Sequence, residues 1–185
     1  GQNWTKEQFT ALAVSTENPV TGSFACSDER LNQLQHNIYW SQRSNNITIP
    51  TDCPTREKAG WTGDVVVYGA TALYNQDMTA FYEDWLKSIR LEQTESGHVL
   101  NTVPLIKNYI QQNEAGSLGW GDVILTLPLQ LYHLKGDLRV LEENYPAMER
   151  WMEAMKKSAY ELPTAGPMGA VTEEQFASMS KRQQD

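Results

Sequence analysis

Hydrophobic residues recur three and four positions apart along most of the chain, which is the spacing of one buried face of an α-helix. The first such stretch follows Ser27 and Asp28, either of which can cap a helix. We predict that its apolar stripe is buried; the stripe consists of Leu31, Leu34, Ile38 and Tyr39.

Two more helices are predicted between residues 65 and 89. Residues 65–73 are apolar on nearly all sides, which favours a helix surrounded by others. Asp77 is placed to cap the next helix, in which Glu83 lies four positions before Lys87 as a favourable surface pair. The apolar positions of that helix are Phe81, Trp85, Leu86 and Ile89.

The later periodic stretches predict helices over residues 122–135 and 138–159. Gly136 is typical of a helix end and should terminate the first of these two helices, and Pro128 should kink that same helix. Pro146 marks either a kink or a break between two shorter helices. No convincing set of strands is present, so the fold class predicted is all-α.

The two ends of the chain differ from its middle. Residues 1–24 are mostly extended rather than periodic, and we interpret them as a linker or the tail of a preceding domain. A last helix should begin at Thr172, but the chain stops soon after it. Both ends suggest a piece of a longer protein, in which residues 25–185 form one helical domain.

Composition and charge exclude several classes of protein. The chain has 185 residues and a formal net charge of -8, so it offers no basic patch for nucleic acid. No apolar run approaches the roughly 20 residues that cross a membrane. Cys26 and Cys53 lie in separate segments and no histidine stands at metal-ligand spacing, so we predict no metal site, no disulfide framework and no cofactor.

The candidate chemistry is concentrated in residues 50–64. Two prolines and two glycines interrupt this stretch, so it should form an ordered loop rather than a helix. Loops that carry this much chemistry usually bind or catalyse. The chemically active residues of the loop are Asp52, Arg56, Glu57, Trp61 and Asp64.

Three carboxylates beside a tryptophan are typical of a carbohydrate site. Carboxylates held close together raise one another's pKa, and a neighbouring apolar ring does the same, so one carboxyl can stay neutral as a proton donor. The flat face of a tryptophan packs on a pyranose ring. A purely structural loop is the alternative, in which Asp52 and Asp64 cap helices and Arg56 pairs with Glu57.

Residues 52–64, Asp-Cys-Pro-Thr-Arg-Glu-Lys-Ala-Gly-Trp-Thr-Gly-Asp, resemble the signature of the bacterial α-L-rhamnosidases of glycoside hydrolase family 78. The spacing between Asp52 and Glu57 is one residue shorter than in many members, yet Glu57 keeps its place before Trp61. Weaker matches cover residues 22–24, 26–28, 119–122, 136–137 and 145–146.

The resemblance implies the N-terminal part of an (α/α)6 barrel of the six-hairpin glycosidase kind, entered from β-rich domains, that removes terminal α-L-rhamnose with inversion. Glu57 would be the general acid, and a second carboxylate roughly 6.5 to 9.5 Å away would activate water. The substrate-binding positions of the family fall on Asp52, Arg56, Trp61 and Asp64, with Trp120 as a second aromatic wall and Asp122 as a polar contact.

The resemblance also implies that the general base is missing, because the family's base lies far beyond residue 185. The chain should then carry about half of a barrel, be inactive by itself and tend to self-associate. Its expected partners are rhamnose-containing glycans or glycosides. A noncatalytic carbohydrate-binding or scaffold module and another (α/α)6 glycosidase remain alternatives. The compartment stays open between a periplasmic or secreted location, which we favour, and the cytoplasm.

Overall fold

The computed structural model describes residues 4–106 and 115–160. Within these ranges, the helical prediction is confirmed, and the strands are limited to a two-residue antiparallel ladder between β1 (Asn46–Ile47) and β2 (Ile49–Pro50). The predicted helix at Thr172 lies outside the described residues. The helices are α1 (Glu29–Asn45), α2 (Thr62–Asn75), α3 (Thr79–Glu92), α4 (Val123–Lys135) and α5 (Arg139–Tyr160).

The core lies around α4, which packs against α2 and α5, while α3 contacts both α4 and α5. The predicted apolar positions of α3 are all buried. Trp85 from α3 and Trp151 from α5 are among the largest side chains that the fold removes from solvent. None of the helices in the described part of the chain is long and apolar enough to cross a membrane.

The helix ends follow the local sequence closely. Asp28 is the N-cap of α1, and its side chain accepts a 2.9 Å hydrogen bond from the Arg30 N–H. Gly136 ends α4 in the left-handed conformation, with φ of 71°, which costs a glycine nothing. α5 continues through Pro146, so of the two alternatives at this proline, a kink or a break, the break between two shorter helices is wrong.

Buried amide side chains join α1 to α2. Gln42 Nε2 donates to Gln76 Oε1 at 2.9 Å. Gln42 Oε1 accepts from Tyr68 Oη and from Asn75 Nδ2, both at 3.0 Å. The extended segment before α1 is tied to the same place, since Gln76 Nε2 donates to the Asn18 carbonyl at 3.0 Å.

This amide network overturns the predicted orientation of α1. Leu31 and Leu34 are 47% and 51% exposed, and Gln42 is the residue of α1 that is buried. The amide side chain of Gln42 faces α2 because it finds hydrogen-bond partners there. As a result, the apolar stripe of α1 is partly exposed to solvent. The picture of α2 as a surrounded helix is also wrong, since Val67 is 81% exposed.

The predicted surface pair of Glu83 with Lys87 is replaced by a longer-range one. Glu83 forms an ion pair with Arg139 at 3.3 Å. Arg139 is the first residue of α5, and the packing of α5 on α3 brings it over the Glu83 carboxylate. In the described part of the chain Lys87 makes no ion pair with Glu83.

Candidate functional site

The loop that precedes α2 is closed by its own hydrogen bonds. The Asp52 N–H donates to the Ala59 carbonyl at 3.1 Å, and the Ala59 N–H donates back to Asp52 Oδ1 at 3.2 Å. Inside this closure, the Glu57 N–H donates to Cys53 Sγ at 3.1 Å. The sequence prediction of an ordered loop is therefore confirmed, and Asp52 is part of what orders it.

A second segment clamps the end of this loop. The Val103 N–H donates to the Gly60 carbonyl at 2.9 Å, and the Thr62 N–H donates to the Asn101 carbonyl at 2.9 Å. Gly60 lies so close to the Val103 carbonyl that a β-carbon at residue 60 would collide with it. The loop thus enters α2 in a fixed direction, which places the first turn of that helix beside the loop.

Glu57 and Trp61 meet within the loop. The indole Nε1 of Trp61 donates to Glu57 Oε2 at 2.8 Å, and both residues are partly buried. A hydrogen bond of this length orients the carboxyl group. The loop therefore presents a carboxyl oriented by an aromatic side chain that can itself contact a ligand.

Asp64 lies in the first turn of α2 and completes the group of carboxylates. Desolvation by the surrounding protein raises the pKa of its carboxyl, and the negative charges of Asp52 and Glu57 raise it further. The residue as a whole is exposed, so this desolvation of its carboxyl is partial. The expectation that these carboxylates perturb one another is met at Asp64.

The structural-loop alternative is not supported by the helix caps. The N-cap of α2 is Trp61, without a side-chain cap hydrogen bond, and Asp52 bonds within the loop instead. The guanidinium of Arg56 is exposed, and across residues 4–106 and 115–160 it forms no ion pair with Glu57 or another carboxylate. Arg56 is therefore an exposed side chain of the loop, and it is not among the residues that line the cavity between α1 and α2.

A cavity of about 230 Å³ opens between α1 and α2 and is lined by Asp52 and Asp64. Its other walls include Gln42, Tyr68 and Tyr82, which sequence reasoning missed. Tyr68 stands four residues after Asp64, so the helical period could have placed both on one face. Gln42 gave no such signal. Burial raises the pKa of Tyr68 to about 12, which keeps its hydroxyl a donor toward Gln42.

Trp120 lies beside the first turn of α2, and Asp122 is the last residue before α4 in the same segment. The Trp120 indole lies on Gly63, and the side chain is 41% exposed. Asp122 accepts hydrogen bonds from the Gly119 N–H and from Trp151 Nε1, both at 3.0 Å. The described residues contain no group of three or more histidine, cysteine or acidic side chains that could hold a metal ion.

Comparison with known proteins places the chain among carbohydrate-active relatives. Residues 19–170 match the bacterial alpha-L-rhamnosidase 6 hairpin glycosidase domain. An alpha-L-rhamnosidase of Formosa agariphila is 44% identical over 152 residues, which are 82% of this chain and 16% of that protein. A second, from Alteromonas, is 41% identical over the same shares of the two chains. The chain thus spans about a sixth of the length of these relatives.

Solved structures agree in fold. The crystal structure of a Streptomyces avermitilis alpha-L-rhamnosidase complexed with L-rhamnose superposes with a TM-score of 0.73 at 37% identity, over 77% of this chain and 14% of that one. The native Aspergillus terreus enzyme superposes with a TM-score of 0.73 at 39% identity, over 77% of this chain and 16% of that one. The five helices therefore form part of an (α/α)6 barrel, and the chain belongs to the bacterial alpha-L-rhamnosidase six-hairpin glycosidase family.

Proposed function

We propose that this chain is the acid-bearing part of an inverting α-L-rhamnosidase that removes terminal α-L-rhamnose from glycosides or polysaccharides. The observation that carries the proposal is the hydrogen bond from Trp61 to Glu57 in a loop that also holds Asp52 beside Asp64. It is also supported by relatives that are named alpha-L-rhamnosidases, one of them in complex with L-rhamnose.

In the proposed reaction, Glu57 protonates the glycosidic oxygen as the bond to the leaving group breaks. A water molecule attacks the anomeric carbon from the opposite face, activated by a base that this chain does not supply. Asp52 and Asp64 accept hydrogen bonds from rhamnose hydroxyls at the wall of the cavity. Trp61 and Trp120 pack on the apolar side of the sugar, and the exposed Arg56 contacts it from the solvent side.

We also propose that the chain is one part of a longer enzyme, since it spans 16% of the relatives that it matches. In this proposal residues 1–24 are the linker or tail of a preceding β-rich domain, and residues 25–185 begin the barrel. The isolated chain should be inactive because the base is absent. Exposed Leu31, Leu34 and Val67 support self-association of the isolated chain, which light scattering would detect.

The decisive experiment is Glu57→Gln in the complete protein, assayed on a chromogenic α-L-rhamnoside. Glutamine preserves the size of the side chain and can still accept the bond from Trp61, but it cannot donate a catalytic proton. Turnover should fall by about 10²- to 10⁴-fold while L-rhamnose binding persists. Glu95→Gln, an exposed carboxyl outside the loop, is the matched control.

Three results separate the proposal from its competitors. A wild-type protein that binds L-rhamnose without cleaving any rhamnoside would be a carbohydrate-binding module. Cleavage of α-glucosides in preference to α-L-rhamnosides would indicate another glycosidase of the same fold. Full activity in Glu57→Gln would show that a different group is the acid, and Asp64→Asn would then be assayed in the same way.

A further inference from the structure

Trp120 is held directly against the backbone of the candidate site. A β-carbon placed on Gly63 would lie 2.8 Å from the indole Nε1 and 2.9 Å from Cδ1, so only glycine lets the ring lie this close. Gly63 is the residue before Asp64. The Trp120 ring therefore covers the first turn of α2 next to Asp64, and its position determines the shape of that side of the candidate site.

Trp120 itself sits in a tight turn. The N–H groups of Trp120 and Gly121 both donate to the Ser117 carbonyl, at 3.2 and 3.0 Å, and Gly119 has φ of 83°. The Trp120 side chain makes no hydrogen bond that would fix it to the remainder of the described chain. Its placement must come from the turn that carries it.

Asp122 ties this turn to the core. Its Oδ2 accepts from the Gly119 N–H and its Oδ1 from Trp151 Nε1, each at 3.0 Å. Trp151 is fully buried, and its ring covers Gly121 so closely that a β-carbon there would collide with it. One carboxylate thus links the residue before Trp120 to a side chain that cannot move.

We propose that Asp122 is a positioning residue: together with Trp151 it holds the turn so that Trp120 stays on Gly63 as a wall of the sugar site. In this account the two carboxylate oxygens of Asp122 hold the turn and Trp151, and the contact with the sugar is made by Trp120. The inference rests on the proposed function for the part that Trp120 plays in the reaction.

The first test reads the position of Trp120 without any activity. The complete protein is labelled with 5-fluorotryptophan, and the ¹⁹F signal of Trp120 is identified by its loss in Trp120→Phe. Asp122→Asn should shift or broaden that signal, because the Asn Nδ2 is a donor and the one remaining amide oxygen cannot accept both bonds. Trp151→Phe, which keeps a ring in the core but removes the N–H, should do the same. An unchanged Trp120 signal in both variants overturns the proposal.

The second test is a double-mutant cycle on an aryl α-L-rhamnoside. Asp122→Asn and Trp120→Ala should each raise KM by about tenfold with kcat nearly unchanged. If Asp122 acts only through Trp120, adding Asp122→Asn to Trp120→Ala should cause no further rise. Multiplicative effects on KM would mean that Asp122 acts independently of Trp120, which overturns the proposal. Asp84→Asn, an exposed position on α3, is the control.

The two tests also separate this inference from the proposed function. A wild-type protein without rhamnosidase activity refutes the proposed function, and the fluorine measurement then still decides whether Asp122 positions Trp120. A loss of turnover in Glu57→Gln combined with multiplicative effects at residues 122 and 120 keeps the proposed function and refutes the inference.

Discussion

The Trp61 indole donates a 2.8 Å hydrogen bond to Oε2 of Glu57, and the two residues are four positions apart in one closed loop. A carboxylate oxygen held by such a bond fixes the rotation of the whole carboxyl group. The orientation of the proposed acid is therefore decided locally, by a residue that the sugar ring is also expected to contact.

Trp61→Phe should lower kcat on an aryl α-L-rhamnoside by about tenfold. Phenylalanine keeps an aromatic face for the sugar but loses the N–H, and a hydrogen bond contributes about 0.5 to 1.5 kcal/mol. Trp4→Phe, which alters an exposed indole far from the loop in sequence, is the control. An unchanged kcat would mean that Trp61 does not orient the acid.

Asp64→Asn should stabilise the fold at neutral pH. The pKa of Asp64 is raised in the folded protein, so the native state binds the proton more tightly than the unfolded chain, whose pKa is near 3.8. That stability is fully present below the unfolded pKa and is lost as pH rises through the raised one. The gain from asparagine, measured as the difference in Tm, should thus be present at pH 7 and vanish at pH 3. A gain that is equal at both pH values would contradict this.

Gln42→Leu should lower the free energy of unfolding by at least about 2 kcal/mol. The leucine would leave Tyr68 Oη and Asn75 Nδ2 without their acceptor, and each unsatisfied buried group costs about 1 to 3 kcal/mol. Urea denaturation measures the loss. Gln33→Leu on the exposed side of α1 should cost much less, and equal losses would argue against the network.

Gly136→Ala should cost about 1 to 2 kcal/mol of stability because a β-carbon disfavours the left-handed conformation. The added atom meets nothing within 4 Å, so the loss comes from the backbone alone. Gly136→Asn should cost less, since asparagine tolerates this conformation better. Thermal unfolding of the two variants tests the order, and a larger loss for asparagine would contradict it.

Local patterns were enough to predict α3 and α4. Both combine an apolar period with a recognisable end, Asp77 before α3 and Gly136 after α4. Asp77 is not the formal cap, but its Oδ1 accepts from the Thr79 N–H at 3.1 Å. The orientation of α1 could not be predicted in this way, because the partners that bury Gln42 lie more than 25 residues away in sequence.

In the candidate site, too, the features that depend on neighbouring residues could be predicted, whereas those that depend on distant contacts could not. Glu57, Trp61 and Asp64 were visible as one motif because they lie within eight consecutive residues, at the end of the loop and in the first turn of α2. Arg56 belongs to the same motif, yet the exposure of its side chain could not be seen in the sequence. Gln42 reaches the cavity from α1 and depends on how two helices meet, which local spacing does not encode.

The amide network between α1 and α2 has a consequence for how related sequences diverge. The network pairs each donor with an acceptor among residues 42, 68, 75 and 76. A substitution at one position therefore leaves its partners without a hydrogen bond. Substitutions there should be inherited as sets, with an apolar residue 42 accompanied by phenylalanine at 68 and a nonpolar side chain at 75. Such covariation would record the contact between the two helices in every lineage that keeps this arrangement.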